Sequence, residues 1–253
     1  MKRTILTTLA LCLCLAGAFA QTPKVVAHRG YWDTPSSAQN SIRSLVKADS
    51  IGCYGSEFDV WLTADNKLIV NHDDAIGGHV IETSKAADIL CQRLANGEKV
   101  PTLDAYLSAA EKLSVRLVLE IKPHKTEEHN RKAVRKTLDA VRRHGLESRV
   151  DYITFSKYAL DELLKRVPKY TPVYYLSGDM SPEELASVGA TGADYHIDEF
   201  RLRHPDWIEK LHSLGLKVNV WTVNKQEDLQ WCIDHNADFI TTNAPTLLIK
   251  MLK

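Results

Sequence analysis

Cysteine is scarce in this 253-residue sequence, and neither sign of charge is in excess. Of the five cysteines, Cys53, Cys91 and Cys232 lie outside the apolar N-terminal stretch. They are too widely spaced for a zinc pattern and allow at most one disulfide, which the sequence does not specify. Basic and acidic residues each number 32, and no block of like charge occurs. We therefore expect no nucleic-acid partner.

Long apolar runs are also absent after the first twenty residues, and a transmembrane helix needs about 20 apolar residues. The N-terminus has Lys2 and Arg3, then an apolar segment, then the small-residue sequence Ala-Phe-Ala ending at Ala20. This is the pattern of a cleavable secretory signal. We predict that residues 1–20 are removed and that a mature chain of residues 21–253 is exported, either periplasmic or secreted. We expect it to have no stable membrane insertion.

Strand-like runs alternate with amphipathic segments through the mature chain. The candidate strands lie at 24–28, 56–62, 67–72, 116–122, 150–156, 171–177, 193–198, 217–223 and 238–243. The helical patterns lie at 38–51, 102–113, 127–145, 157–167, 181–188, 204–214 and 225–235. Because strands alternate with helices of this length, we expect parallel βαβ units.

The number of strands favours a closed barrel. Only a short turn separates the runs 56–62 and 67–72, and a parallel crossover needs a dozen or more residues, so these two form a hairpin. The other eight strands fit an α/β fold of the (β/α)8 TIM type, in a single domain of the usual length of about 250 residues. Residues 73–101 fit no βα unit and are predicted to be an insertion after the hairpin. A doubly wound sheet is the alternative, but no glycine-rich phosphate loop follows the first strand.

Charged and histidine side chains gather at the ends of the early strands, where barrel active sites are built. Acidic and basic residues spaced i, i+2 share one face of a strand. That face is the barrel interior, because the residues between them are apolar and suit packing under helices. The candidate residues are His28, Arg29, Glu57, Asp59, His72, Glu120 and Lys122.

Three carboxylates that converge in a barrel mouth need a positive charge among them. Glu57, Asp59 and Glu120 suit a hard divalent cation such as Ca²⁺ or Mg²⁺. Scattered ion pairs with Arg29 and Lys122 are the structural alternative. Two histidines at neighbouring strand ends make a catalytic centre the better interpretation, since histidine transfers protons near neutral pH.

The order of the motifs resembles a known family. The segments are AHRGYW…QNS, SEFDVWLTADNKLIVNHDD, VPTLDAYL, LVLEIK, VNVWTVN and DFITTNAP. Together they resemble the bacterial glycerophosphodiester phosphodiesterases, which are related to barrels of the phosphatidylinositol phospholipase C type. The resemblance spans residues 25–245. It implies a (β/α)8 barrel that uses a divalent metal to hydrolyse small glycerophosphodiesters to glycerol 3-phosphate and an alcohol.

The resemblance also implies a role for each site residue. Glu57, Asp59 and Glu120 would be metal ligands, and His28 and His72 the general acid and base in an order that stays open. Phosphate would be bound by Arg29 and Lys122, and Trp221 would line the pocket near the glycerol or alcohol. A hydroxyl of the substrate's own glycerol would be the nucleophile, which gives a cyclic phosphate.

Three features depart from the family pattern, of which two are single positions and the third is Tyr31-Trp32 after HRG with a shortened 73–101 insertion, which alters the pocket wall. Gln39 stands where the family usually has glutamate, and Asn243 where it usually has aspartate near the last strand end. Two alternative functions stay open at this stage. One is a lipid-cleaving enzyme of the phospholipase or sphingomyelinase D type, and the other is a non-catalytic barrel that binds a phosphorylated ligand. Neither the preferred alcohol nor the oligomeric state can be inferred.

Overall fold

The computed structural model describes residues 22–253, so the predicted signal segment 1–20 lies outside the described residues. Eleven strands are present in the part of the chain that is described. They are Lys24–Ala27 (β1), Gly55–Leu62 (β2), Leu68–Val70 (β3), Ala75–Ile76 (β4), His79–Val80 (β5), Arg116–Ile121 (β6), Val150–Thr154 (β7), Val173–Tyr175 (β8), Gly192–His196 (β9), Lys217–Trp221 (β10) and Phe239–Thr242 (β11).

Eight parallel strands close into a ring. Their order around the ring is β1, β2, β6, β7, β8, β9, β10 and β11, and β11 pairs again with β1. Strand β3 pairs antiparallel with β2, with Val70 opposite Val60, and stands outside the ring. The predicted (β/α)8 barrel and its early hairpin are confirmed.

Nine α-helices lie among the described residues. They are Ile42–Ser50 (α1), Ala86–Leu90 (α2), Leu103–Ala110 (α3), Glu127–Arg143 (α4), Lys157–Arg166 (α5), Pro182–Val188 (α6), Trp207–Ser213 (α7), Gln226–Asp234 (α8) and Pro245–Met251 (α9). Several begin at a hydroxyl side chain that accepts a hydrogen bond from a backbone N–H of the first turn, as Ser41 does for α1 and Thr126 for α4. The sequence patterns did not predict α2 or α9.

The insertion forms a small layer beside the β2–β3 hairpin. It contains the antiparallel pair β4–β5, a 3₁₀ turn at Ile81–Thr83 and α2. Its apolar side chains, such as Ile81 and Ile89, pack on Trp61 and Ile69 of the hairpin. The sequence reading did not find β4 and β5, since strands of two residues show no alternation.

The inward face of the barrel changes from apolar to polar along the strands. Val26, Val118 and Phe239 belong to an apolar cluster in the barrel interior. Side chains two residues apart share a face, so Glu120 follows Val118, and Thr241 follows Phe239, on the inward side. Polar side chains at the carboxyl ends of the strands therefore lie directly above the apolar cluster of the barrel interior.

No helix within residues 22–253 combines the length and the apolar character that crossing a bilayer requires. Cys53 and Cys232 are buried, Cys91 is exposed, and all three are unpaired thiols.

Candidate active site

The carboxyl ends of the barrel strands surround a cavity of about 100 Å³. Seven of the eight predicted site residues line it, namely His28, Arg29, Glu57, His72, Glu120, Lys122 and Trp221. The eighth, Asp59, does not line the cavity itself, but its Oδ1 lies 3.2 Å from Nζ of the lining residue Lys122. Residues up to 193 positions apart in the sequence thus converge in one pocket.

Three buried carboxylates form one side of this pocket. One carboxylate oxygen each from Glu57, Asp59 and Glu120 lies within 4.8 Å of the other two. All three side chains are almost inaccessible to solvent. Strands β2 and β6 are neighbours, with Asp59 opposite Glu120 in the register, so the sheet itself brings these acids together.

The partners of the carboxylates leave room for a cation. Glu57 Oε2 accepts from Arg29 N at 2.7 Å, and Asp59 Oδ2 accepts from Asn40 Nδ2 at 2.8 Å. Lys122 Nζ lies 2.9 Å from Glu120 Oε1 as an ion pair, yet this buried oxygen receives no well-directed hydrogen bond. An oxygen-rich, incompletely satisfied donor set of this kind fits a hard divalent cation.

Proton affinities in the trio also indicate excess negative charge. Burial, with the repulsion of Asp59 and Glu120, raises the pKa of Glu57 well above its usual value. Burial and Asp59 likewise raise the pKa of Glu120 to about 8. Burial opposes ionisation of Asp59 as well, but Lys122 and other partners outweigh it and lower the pKa. Without a further cation, the trio therefore retains protons near neutral pH.

A tight turn follows β1 and connects the acids to the first loop. Arg29 and Gly30 both have positive φ, of 56° and 77°, which aims the Arg29 N–H at Glu57. A Cβ at position 30 would lie 2.4 Å from Ser44 Oγ, so only glycine fits there. Arg29 Nη1 donates to Gln39 Oε1 at 2.6 Å, and its Nε is buried without a partner.

His28 is held in one tautomer by Asn243. The Nε1–H of Trp32 can only donate, and it lies 3.0 Å from Asn243 Oδ1. The same oxygen lies 2.9 Å from His28 Nδ1, which must therefore carry the proton. Burial and the nearby Arg29 lower the pKa of His28 to about 4, so the imidazole is neutral at pH 7, with an unprotonated Nε2.

His72 has a different environment. Its Nδ1 lies 2.8 Å from the carboxylate of exposed Asp73, and its backbone oxygen accepts from Trp61 Nε1 at 3.3 Å. The residue lines the inner pocket and also a second, open cleft of about 660 Å³ between the β1 loop and the insertion. His72 thus stands at the boundary of two cavities.

A family comparison agrees with this geometry. Residues 28–247 match the model of the glycerophosphoryl diester phosphodiesterase family. The chain belongs to the glycerophosphoryl diester phosphodiesterase family. The family and the class of enzyme expected from the sequence motifs are thereby confirmed.

Individual family members resemble the whole chain. A glycerophosphodiester phosphodiesterase from Caldanaerobacter subterraneus is 26% identical over 248 residues, covering 90% of this chain and 97% of the relative. The crystal structure of a glycerophosphodiester phosphodiesterase from Parabacteroides distasonis is 47% identical, with a TM-score of 0.90, and the match covers 92% of this chain and 97% of that one. A phosphodiesterase from Oleispira antarctica, in complex with the product sn-glycerol-3-phosphate, shares the fold at 21% identity, a TM-score of 0.77 and coverage of 91% and 96%.

Sequence reasoning missed several polar residues of this site, and besides Asn40 and Asp194 these include Thr222 and Thr241 of the pocket lining. Asn40 is buried, adopts a positive φ of 59° and exchanges two hydrogen bonds with Asp59. Asn40 follows Gln39 in the QNS segment, which is one of the motifs shared with the family, so that motif could have pointed to it. Asp194 lines the pocket from β9, and its strand has no motif that marks it.

Proposed function

We propose that this chain is an exported, metal-dependent phosphodiesterase that hydrolyses glycerophosphodiesters to glycerol 3-phosphate and an alcohol. One observation carries the proposal. A buried carboxylate trio, two basic side chains and two differently held histidines surround a single pocket in a member of this family. The sn-glycerol-3-phosphate complex of the Oleispira antarctica relative supports the choice of product.

Glu57, Asp59 and Glu120 would hold the metal ion, which we propose to be Mg²⁺ or Ca²⁺. Carboxylate oxygens are the preferred ligands of both cations. When bound, the cation would supply positive charge that stabilises the non-bridging oxygens of the phosphodiester.

Arg29 and Lys122 bind the phosphate in this proposal. Burial favours the neutral form of Lys122, but Asp59 and Glu120 outweigh it and raise the pKa, so the ammonium stays charged. The unpartnered Nε of Arg29 is a donor left for a phosphate oxygen. Charged donors of this kind form the stronger class of hydrogen bonds to phosphate.

The hydrogen bonds of the histidines favour one assignment of acid and base. His28 Nε2 has a free lone pair and can accept the proton of the attacking hydroxyl. His72 Nδ1 lies 2.8 Å from the Asp73 carboxylate, which leaves its other ring nitrogen to donate a proton to the leaving alkoxide. His72 also faces the open cleft, into which the alcohol departs.

The two cavities differ in how selective they can be. The inner pocket of about 100 Å³ suits the glycerol phosphate moiety. The outer cleft of about 660 Å³ receives the other alcohol, and its lining includes the opposite charges of Asp33 and Arg93. Such a wide cleft of mixed charge selects no single head group.

We therefore expect diesters of glycerol phosphate with choline, ethanolamine or glycerol to be cleaved with kcat/KM values within about tenfold of each other, since no closed pocket discriminates among the alcohols. The measurement is a product assay across this series. Strong preference for one head group would contradict the assignment of the outer cleft. Faster cleavage of an intact lysophospholipid would favour the lipid-cleaving alternative.

A product assay of the same kind tests whether the nucleophile is the substrate's own hydroxyl or water. A diester without a hydroxyl next to the ester is expected to resist cleavage, because the substrate's own hydroxyl is the proposed nucleophile. A cyclic phosphate should appear transiently in the reaction with glycerophosphocholine, before water opens one of its ester bonds to give glycerol 3-phosphate. Equal cleavage of the hydroxyl-free diester would instead indicate direct attack by water.

Export is proposed from the N-terminal residues alone. Lys2, Arg3, the apolar segment and the small residues before Gln21 form the signal pattern. Expression of the full chain in a Gram-negative host, followed by fractionation and N-terminal sequencing, is expected to give a periplasmic protein that begins at Gln21. A cytoplasmic product that retains Lys2 and Arg3 would refute export.

A further inference from the structure

Asp194 is a buried acid on the wall opposite the carboxylate trio. It lies in the middle of β9, four strands round the eight-strand ring from β2. Its neighbours Ala193 and Tyr195 pack in the outer core, so Asp194 points to the barrel interior. It lines the same pocket as His28 and Glu57.

The carboxyl group of Asp194 has an unused hydrogen-bonding atom. The residue is only 1% exposed, and its Oδ1 has no hydrogen-bond partner. The adjacent polar residues Asn219 and Thr241 bond to each other, at 3.0 and 3.2 Å. The backbone of the residue is held in place, because Trp221 Nε1 donates to the Asp194 carbonyl at 2.7 Å.

Two buried acids outside the pocket are, by contrast, neutralised by basic partners. Asp151 pairs with Arg116, and Asp238 pairs with Lys217 and His212. Among the described residues, none forms an ion pair with Asp194. Burial raises the pKa of Asp194 to about 8, with only Asn219 opposing it. The group is mainly a neutral carboxylic acid at pH 7, which both donates and accepts hydrogen bonds.

We propose that Asp194 is a specificity-determining residue that hydrogen-bonds a hydroxyl of the glycerol moiety. This inference rests on the proposed function. Arg29 and Lys122 place the phosphate near the trio, and the glycerol then extends towards β9 across a pocket of about 100 Å³. A neutral carboxyl group can both donate a hydrogen bond to a hydroxyl and accept one from it. A buried oxygen without a hydrogen-bond partner costs free energy, and a bound hydroxyl would supply the missing partner.

Binding of three phosphates tests the role of Asp194 without requiring turnover. Glycerol 3-phosphate, propyl phosphate and inorganic phosphate are titrated calorimetrically into the protein in Mg²⁺ buffer. Wild type is expected to bind glycerol 3-phosphate more tightly than propyl phosphate, which lacks the hydroxyls. Asp194→Val should reduce this preference about tenfold, the usual order for a lost buried hydrogen bond. Its affinity for inorganic phosphate should be unchanged.

Two further variants and a control complete the test. Asp194→Ala, which introduces no branched side chain, should lose the same preference, and Asp194→Asn should largely retain it, because an amide also donates and accepts. Asp151→Asn, a buried strand acid paired with Arg116, should behave like wild type. Retained preference in both Asp194→Val and Asp194→Ala would overturn the proposal, as would a wild type that does not distinguish glycerol 3-phosphate from propyl phosphate. Failure of the proposed function would appear separately, as absent turnover.

Discussion

Replacing His28 or His72 with alanine is expected to lower turnover of glycerophosphocholine about 10²–10⁴-fold, the usual contribution of a positioned acid or base. Both imidazoles line the pocket, and each has one ring nitrogen engaged by a neighbouring oxygen. The measurement is kcat for each variant in Mg²⁺ and in Ca²⁺. His235→Ala is the matched control, since His235 lies on the exposed end of α8 and should leave kcat unchanged. Near-normal turnover in either pocket variant would make that histidine structural.

The Asn243→Asp variant tests whether His28 is the general base, as proposed, with His72 as the acid. The new carboxylate would accept the hydrogen bond from His28 Nδ1 and would raise the pKa of His28 from about 4, by about one to three pH units. A base works only when unprotonated, so the acidic limb of the pH profile of kcat/KM should move to higher pH. An unchanged acidic limb would refute His28 as the base.

The sequence predicted the barrel because its signals are local. The short turn between β2 and β3 required a hairpin, and the remaining runs matched the eight parallel strands. The i, i+2 spacing of Glu57 with Asp59, and of Glu120 with Lys122, correctly placed these side chains on one face. A motif order extending over the chain then identified the family.

Properties that depend on contacts distant in sequence could not be predicted. The tautomer of His28 is determined by Asn243, 215 positions away. The lone acid Asp194 resembles any other strand residue until the closed ring places it opposite β2. The outer cleft is formed by the β1 loop and the insertion, and the fold of the insertion follows from packing on Trp61 and Ile69.

Loss of one of the three proposed metal ligands is expected to affect activity and metal affinity together. Glu57→Gln, Asp59→Asn or Glu120→Gln should each reduce kcat/KM about 10²-fold or more, because charge neutralisation by a metal is worth several kcal/mol in the transition state. EDTA should abolish wild-type activity, and excess Mg²⁺ or Ca²⁺ should partly restore the single variants. Asp151→Asn is the control, since its carboxylate is buried but lies on β7, outside the trio.

Thermal unfolding separates a metal site from a purely structural role. In EDTA, Glu120→Gln should melt at the same temperature as wild type or higher, because a neutral amide replaces a buried carboxyl whose raised pKa already favours its neutral form near pH 7. Added Mg²⁺ should raise the Tm of wild type, since a ligand that binds only the folded state stabilises it, and should raise the Tm of the variant less. A structural role predicts the reverse, a lower Tm in EDTA and no difference in response to the metal. Full activity of the triple variant in EDTA would exclude metal binding by the trio from the mechanism.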